Sequence, residues 1–229
     1  MKDIESVQDV ACYDTVVLAG GRASRLDGTA KPGLLSGGGV PLLHLALDAA
    51  AGARRIAVVG PADLAEAIAA HPAASRSVLT REDPPFGGPV AAIAAGLAAL
   101  APPARRAPAD PPPPWVLVLA VDVPRAAGAV PRLRAAVERE PEADGAHLVA
   151  GGRAQWLVGL YRTDALGERL SALHAGRAEP PAGRGASVRR LLDGLRLLEV
   201  QDPGSLSADV DTWDDAERLG VRPGPPPKE

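Results

Sequence analysis

Residues Asp14 to Gly21 read DTVVLAGG, a mostly apolar run closed by two glycines. A short continuous apolar run that ends in glycine is the pattern of a strand buried on both faces of a parallel sheet. It returns at Arg55 to Gly60 (RIAVVG), at Val78 to Thr80 and at Trp115 to Val121 (WVLVLAV). Between these runs Leu43, Ala46, Leu47 and Ala50, and then Val90, Ile93, Ala94 and Leu97, keep the i, i+3, i+4, i+7 spacing of a helix face. The alternation predicts an α/β chain: a doubly wound, mostly parallel sheet in three α/β/α layers. Crossovers are right-handed in such a sheet, and ligands bind beyond the carboxyl ends of its strands.

The chain has 229 residues, enough for one large domain. One Phe, two Tyr and three Trp leave the core to Val, Leu, Ile and Ala. We expect an N-terminal extension over 1–13, a domain over 14–221 and a disordered tail over 222–229 (RPGPPPKE). Seven prolines between Ala101 and Pro114 make that stretch a surface loop. Beyond Ala150 the pattern loosens, with strands expected at Trp156 to Tyr161 and Leu197 to Val200. A helix is expected between them, marked by Val188, Leu191, Leu192 and Leu195.

The 25 basic and 28 acidic residues are scattered, so no basic stripe argues for nucleic acid. Cys12 stands alone, and no His/Cys cluster has zinc-ligand spacing. The N-terminus lacks the basic and apolar regions of a signal peptide, and no segment is apolar enough to span a membrane. These features point to a cytoplasmic protein with small-molecule partners and no nucleic-acid or membrane partner. We expect it to be a monomer or weak homo-oligomer.

The loop after the first apolar run, LAGGRASRLDGTAK (Leu18 to Lys31), gathers three glycines, two arginines and a lysine within fourteen residues. Glycines let backbone N–H groups approach phosphate oxygens, and the basic side chains neutralise their charge. That reads as a triphosphate cradle; the competing reading is a glycine-rich turn with solvated basic residues. Neither a Walker A loop nor a GxGxxG dinucleotide fingerprint is present.

The same loop resembles the LAGGxxxRMGxDK signature of the MobA-like nucleotidyltransferases, a family best known for molybdenum cofactor guanylyltransferases. The likeness extends through REDPPFGGPVAAIAAGL (Arg81 to Leu97), LAVDVP (Leu119 to Pro124), QWLVGLYR (Gln155 to Arg162), GASVRRLL (Gly185 to Leu192) and DVDTWDD (Asp209 to Asp215). It implies a Rossmann-like nucleotidyltransferase fold and transfer of a nucleoside monophosphate, above all GMP from GTP, to a phosphorylated acceptor such as molybdopterin. Mg²⁺, or Mn²⁺ in its place, would assist. By the same resemblance the backbone of Leu18, Ala19, Gly20 and Gly21 would hold the nucleotide, and Arg25 and Lys31 would clamp its phosphates. Asp83 would lie near base or ribose, and Gly88 would allow a close approach. Asp122 would bind the metal with one of Asp209 and Asp211, for which we take Asp211; the competing role for that acidic pair is to cap the following helix. Arg25, Lys31 and Asp122 are the expected catalytic groups. Gln155, Arg184 and Ser187, with Arg189 and Arg190, are the expected acceptor contacts, whereas Trp156 is expected in the core.

The chain departs from the pattern at four places. Asp27 and Ala30 stand where the family has glycine and aspartate, Gly60 replaces a common asparagine near the base, and Ala92 replaces a glycine. Three readings follow: the guanylyltransferase-like enzyme, a cytidylyl- or uridylyltransferase of the same fold, and a nucleotide-binding protein without transfer activity. A glycosyltransferase reading of Asp209-Val210-Asp211 as a DxD motif is disfavoured by its position after the last strand.

Overall fold

The computed structural model describes residues 12–21, 26, 29–101, 112–175 and 187–224. Arg25, Asp27, Arg184, most of the proline-rich loop and residues 1–11 and 225–229 lie outside that set. The elements run β1 (Tyr13–Leu18), α1 (Leu42–Ala49), β2 (Ile56–Val59), α2 (Ala65–Ala69), β3 (Ser77–Thr80), α3 (Pro89–Leu100) and β4 (Trp115–Ala120). There follow α4 (Val130–Arg139), β5 (Gly145–Ala150), β6 (Arg153–Arg162), α5 (Thr163–Ala175), α6 (Val188–Leu192), β7 (Leu197–Gln201) and α7 (Trp213–Leu219).

The seven strands form one sheet in the order β3-β2-β1-β4-β6-β5-β7. β6 pairs antiparallel with both β4 and β5, while the other pairings are parallel, so the expected mostly parallel α/β sheet is present. Alternation sorts each strand between two cores. Val17, Leu117 and Leu119 pack with Leu43 and Leu47 of α1 and Leu133 and Val137 of α4. Val16, Val116 and Val118 pack with Ile93 of α3, Leu166 and Leu170 of α5 and Leu191 of α6 on the opposite face. These are the three layers.

Both β1 and β4 point their carboxyl ends at the place where strand order reverses, with β2 on one side of β1 and β4 on the other. Parallel pairing runs past the strand ends, since Ala19 N donates to Val59 O at 2.8 Å and Val121 N to Leu18 O at 3.0 Å. The loops that follow therefore leave from fixed points. A third, smaller core of Leu26, Leu34, Leu42, Val210, Ala216 and Val221 ties the loop after β1 to the C-terminal segment.

Two expectations need correction. The helix marked by Val188, Leu191, Leu192 and Leu195 stops at Leu192, because Asp193 is extended and Gly194 turns at φ 82°, leaving Leu195 in the turn before β7. Ordered chain also continues past the expected tail boundary at 222. Arg222 and Leu35 exchange backbone hydrogen bonds of 2.8 Å in both directions, and the described residues end at Gly224. No helix among the described residues is long and apolar enough to cross a membrane.

Candidate active site

A cleft of ≈ 2150 Å³ opens over the carboxyl ends of β1, β2, β3 and β4. Its floor is a charge cluster. Lys31 begins a short 3₁₀ turn, Lys31–Gly33, in which Pro32 pre-sets the backbone and Leu34 N closes on Lys31 O at 3.1 Å. Leu34 is fully buried in the third core, so the turn cannot swing away. From there Lys31 Nζ donates to Asp122 Oδ2 at 2.7 Å and to Asp211 Oδ1 at 2.5 Å.

Each carboxylate has its own anchor. Asp122 follows β4 between buried Val121 and Val123. Val210, fully buried, donates its N–H to Asp122 O at 3.0 Å, which ties the segment bearing Asp209 and Asp211 to the end of β4. Upstream, Asp202 accepts from the N–H groups of Gly204, Leu206 and Ser207 and from the Ser207 hydroxyl. Downstream, Thr212 and Asp215 form a reciprocal capping box that starts α7. Of the acidic residues near that helix it is Asp215 that joins the cap, which leaves Asp211 to Lys31.

Burial alone would lower the Lys31 pKa, but the attraction of Asp122 and Asp211 overrides it and the net shift is upward, so the ammonium stays charged. Asp209 is pushed up by desolvation and by the negative charges of Asp211 and Asp122, partly offset by Lys31. A cationic centre therefore already sits between two carboxylates whose oxygens converge on it. That donor chemistry, oxygen only, fits Mg²⁺, with remaining positions left to water and phosphate. Among the described residues no group of three or more His, Cys, Asp or Glu forms a ready-made metal cage.

Leu18, Ala19, Gly20 and Gly21 line the cleft beside this floor. Gly21 has φ 130°, a conformation that a side chain would strain, whereas a Cβ on Gly20 would meet only ordinary contacts. Gly60 also lines the cleft, and a Cβ there would come within 2.7 Å of Leu64 Cδ1 and 3.1 Å of Ala19 O. A side chain there would need Leu64 to shift and would press on the Ala19 carbonyl.

The outer wall is the loop from Arg81 to Gly88. Glu82 is buried, and its Oε1 accepts from Phe86 N at 3.0 Å, folding the loop back on itself. Asp83 and Gly88 line the cleft; Gly88, at φ 87°, leads into α3, and a Cβ on it would crowd nothing. Ala92, one turn into α3, also lines the wall. Glu82 and Phe86 were not foreseen from sequence, where a lone acid and a lone aromatic in a proline-rich loop carry no signal of their contact.

Gln155, Trp156, Ser187 and Arg190 line the far end of the cleft. Ser187 caps α6 by accepting from Arg190 N at 3.2 Å. Arg189 does not join them: it faces a neighbouring hollow together with His147 and Leu192. Trp156 is half-buried, packs its ring 4.3 Å from that of buried His147, and borders both spaces. Desolvation holds the His147 imidazole below its ordinary pKa.

The model of the MobA-like NTP transferase domain matches residues 15–197. No curated protein matches the chain. Among solved structures, molybdopterin-guanine dinucleotide biosynthesis protein A from Archaeoglobus fulgidus superposes with a TM-score of 0.60 at 17% identity, over 90% of this chain and 96% of that one. The Mycobacterium tuberculosis protein Rv0371c gives 0.59 at 23% identity, with the same two coverages of 90% and 96%. The 2-C-methyl-D-erythritol 4-phosphate cytidylyltransferase from Thermus thermophilus gives 0.58 at 19%, again over 90% and 96%. At such identities the superpositions establish a shared fold. The family match spans most of the chain, including β1, the lysine turn, the Arg81 to Gly88 loop and β4, and on that ground the chain belongs to the MobA-like NTP transferase family of nucleotidyltransferases.

Proposed function

We propose that the protein transfers a nucleoside monophosphate from an NTP, GTP first among them, to a phosphorylated small molecule, molybdopterin first among acceptors, and releases pyrophosphate. The observation that carries this is the meeting of Lys31, Asp122 and Asp211 at the carboxyl ends of β1 and β4, under a cleft with space for two substrates.

An oxygen of the acceptor phosphate, already ionised at neutral pH, attacks the α-phosphorus; the bond from that phosphorus to the bridging oxygen breaks, and pyrophosphate leaves with the electron pair. No side-chain nucleophile and no general base is required. What the site supplies is positioning and charge neutralisation. The backbone from Leu18 to Gly21 holds the nucleotide, with Asp83 and Gly88 beside it. Lys31 exchanges its carboxylate partners for phosphate oxygens, joined by Arg25. Asp122 and Asp211, freed of the ammonium, would hold Mg²⁺ or Mn²⁺, which when bound neutralises phosphate charge at the reacting centre. Gln155, Ser187 and Arg190, with Arg184, receive the acceptor. Small soluble substrates of this kind suit a cytoplasmic enzyme with no nucleic-acid partner.

Gly60 favours a second reading within the family. With glycine at the end of β2, guanine lacks a side-chain reader there, and a cytidylyl- or uridylyltransferase becomes the alternative. The deciding experiment is pyrophosphate release from each of the four NTPs, with Mg²⁺ or EDTA, with and without molybdopterin. Metal-dependent release with GTP and molybdopterin alone supports the first reading, and release with CTP or UTP the second. NTP binding without release under any condition would leave a nucleotide-binding protein with no transfer activity.

A further inference from the structure

Phe86 is the chain's only phenylalanine, and among the described residues it is the one large hydrophobic side chain left exposed, at 53%. It also adopts φ 64°, a left-handed conformation that is strained for a bulky residue. Exposure and strain are both unfavourable for a residue with only a structural role, and buried structure holds both in place. The carboxylate of Glu82 accepts the Phe86 N–H, and the loop packs so closely on α3 that a Cβ at Gly87 would stand 2.8 Å from Ala91 Cβ. The loop interior is thus filled, and the ring is left on the cleft wall. The Arg81 guanidinium lies 5.7 Å from the ring centroid, a cation–π arrangement that keeps a charge beside the aromatic face.

We propose that Phe86, backed by Arg81, is the stacking platform for the nucleobase of the NTP. The inference rests on the nucleotidyltransfer reading and deepens it, because the same wall carries Asp83 and adjoins Gly60, where no side chain can read the base. Every base has a π-face, so a platform binds all four and ranks them by stacking strength, purines above pyrimidines. Base choice in this chain is then set by the aromatic wall in place of an asparagine at the end of β2.

The test is calorimetric binding of the four NTPs and of tripolyphosphate, each with Mg²⁺, to wild type, Phe86→Leu and Phe86→Trp. Tripolyphosphate reports the charged floor without a base. Phe86→Leu should weaken ATP and GTP by roughly five- to 150-fold, narrow the gap between purine and pyrimidine nucleotides, and leave tripolyphosphate unchanged; Phe86→Trp should bind purine NTPs at least as well as wild type. Wild-type NTP affinity in Phe86→Leu, with tripolyphosphate still bound, overturns the platform and leaves the transfer reading intact. An equal loss of tripolyphosphate also overturns it, since the ring would then act through loop structure. If wild type binds neither NTP nor tripolyphosphate, the transfer reading fails and the platform with it.

Discussion

The floor of the cleft and its outer wall are built on opposite principles. The floor, at the ends of β1 and β4, brings an ammonium within 2.7 Å of each of two carboxylates, and each is held by a strand end or a buried neighbour. The wall, from Gly60 to Ala92, presents glycines, prolines and one phenylalanine beside Arg81 and Asp83, and its buried Glu82 folds the loop by accepting the Phe86 N–H. A charged floor discriminates between anionic transition states and ground states, whereas a wall of this kind discriminates between shapes. On the proposed roles chemistry and base choice are separable, and substitutions should divide cleanly between them.

The largest expected effect falls on the floor. Asp122→Ala or Lys31→Ala should lower the rate of pyrophosphate release about 10²–10³-fold, with circular dichroism unchanged because neither residue belongs to a core. The double variant should lose little more than the worse single one, since the two groups act on one charge centre. Near-normal turnover in either folded variant would remove the floor from the chemistry and break the contrast.

On the wall the expected loss is of stability. Gly60→Asn should destabilise the fold by about 1–3 kcal/mol, the usual cost of overpacking, because the new Cβ meets Leu64 and the Ala19 carbonyl. Thermal melting checks this; an undiminished melting temperature would mean that β2 can yield, and that an asparagine reader of guanine could be restored.

These two regions also differed in how well sequence foretold them. The strands at the floor were legible because each is an uninterrupted apolar run with glycine or aspartate at its end, and their alternation with helices left one topology class. Lys31 and Asp122 were legible as members of a long motif. The arrival of Asp211 beside them was not, since it depends on Val210 bonding to Asp122 O across 88 residues of chain. Later elements hid for local reasons. β5 has a buried histidine, His147, in the middle of its run, so it does not read as apolar. α4 buries Val130, Leu133 and Val137, but Pro131 and four charged residues dilute that stripe. Glu82 and Phe86 could not be paired from sequence, because the pairing is a backbone turn and not a pattern.

A metal titration sharpens the contrast further. Lys31 supplies the positive charge between Asp122 and Asp211, so a divalent cation without nucleotide must compete with a tethered ammonium. Lys31→Gln should therefore bind Mn²⁺ more tightly than wild type in the absence of NTP, on the order of tenfold, as read by electron paramagnetic resonance. Adding NTP should erase most of the difference, because phosphates draw Lys31 off its carboxylates. Equal affinities for the free metal would mean that the cation binds elsewhere.

The smallest effect concerns the support behind the floor. The Arg218 guanidinium, and after it the Thr212 hydroxyl, hold Asp215 at a pKa of about 2, below its ordinary 3.8. A depressed carboxyl stabilises the fold above its unfolded-state value and loses that contribution as pH falls toward the folded one. Asp215→Ala should therefore cost about 1 kcal/mol at neutral pH, the usual value of a helix cap, and the gap from wild type should close as pH drops from about 4 toward 2. Because α7 begins one residue beyond Thr212, and Thr212 follows Asp211, the same substitution should raise the Mn²⁺ dissociation constant slightly while leaving NTP affinity at the aromatic wall unchanged. A matched loss of both would show that floor and wall move together, and that the separation between chemistry and base choice is not structural.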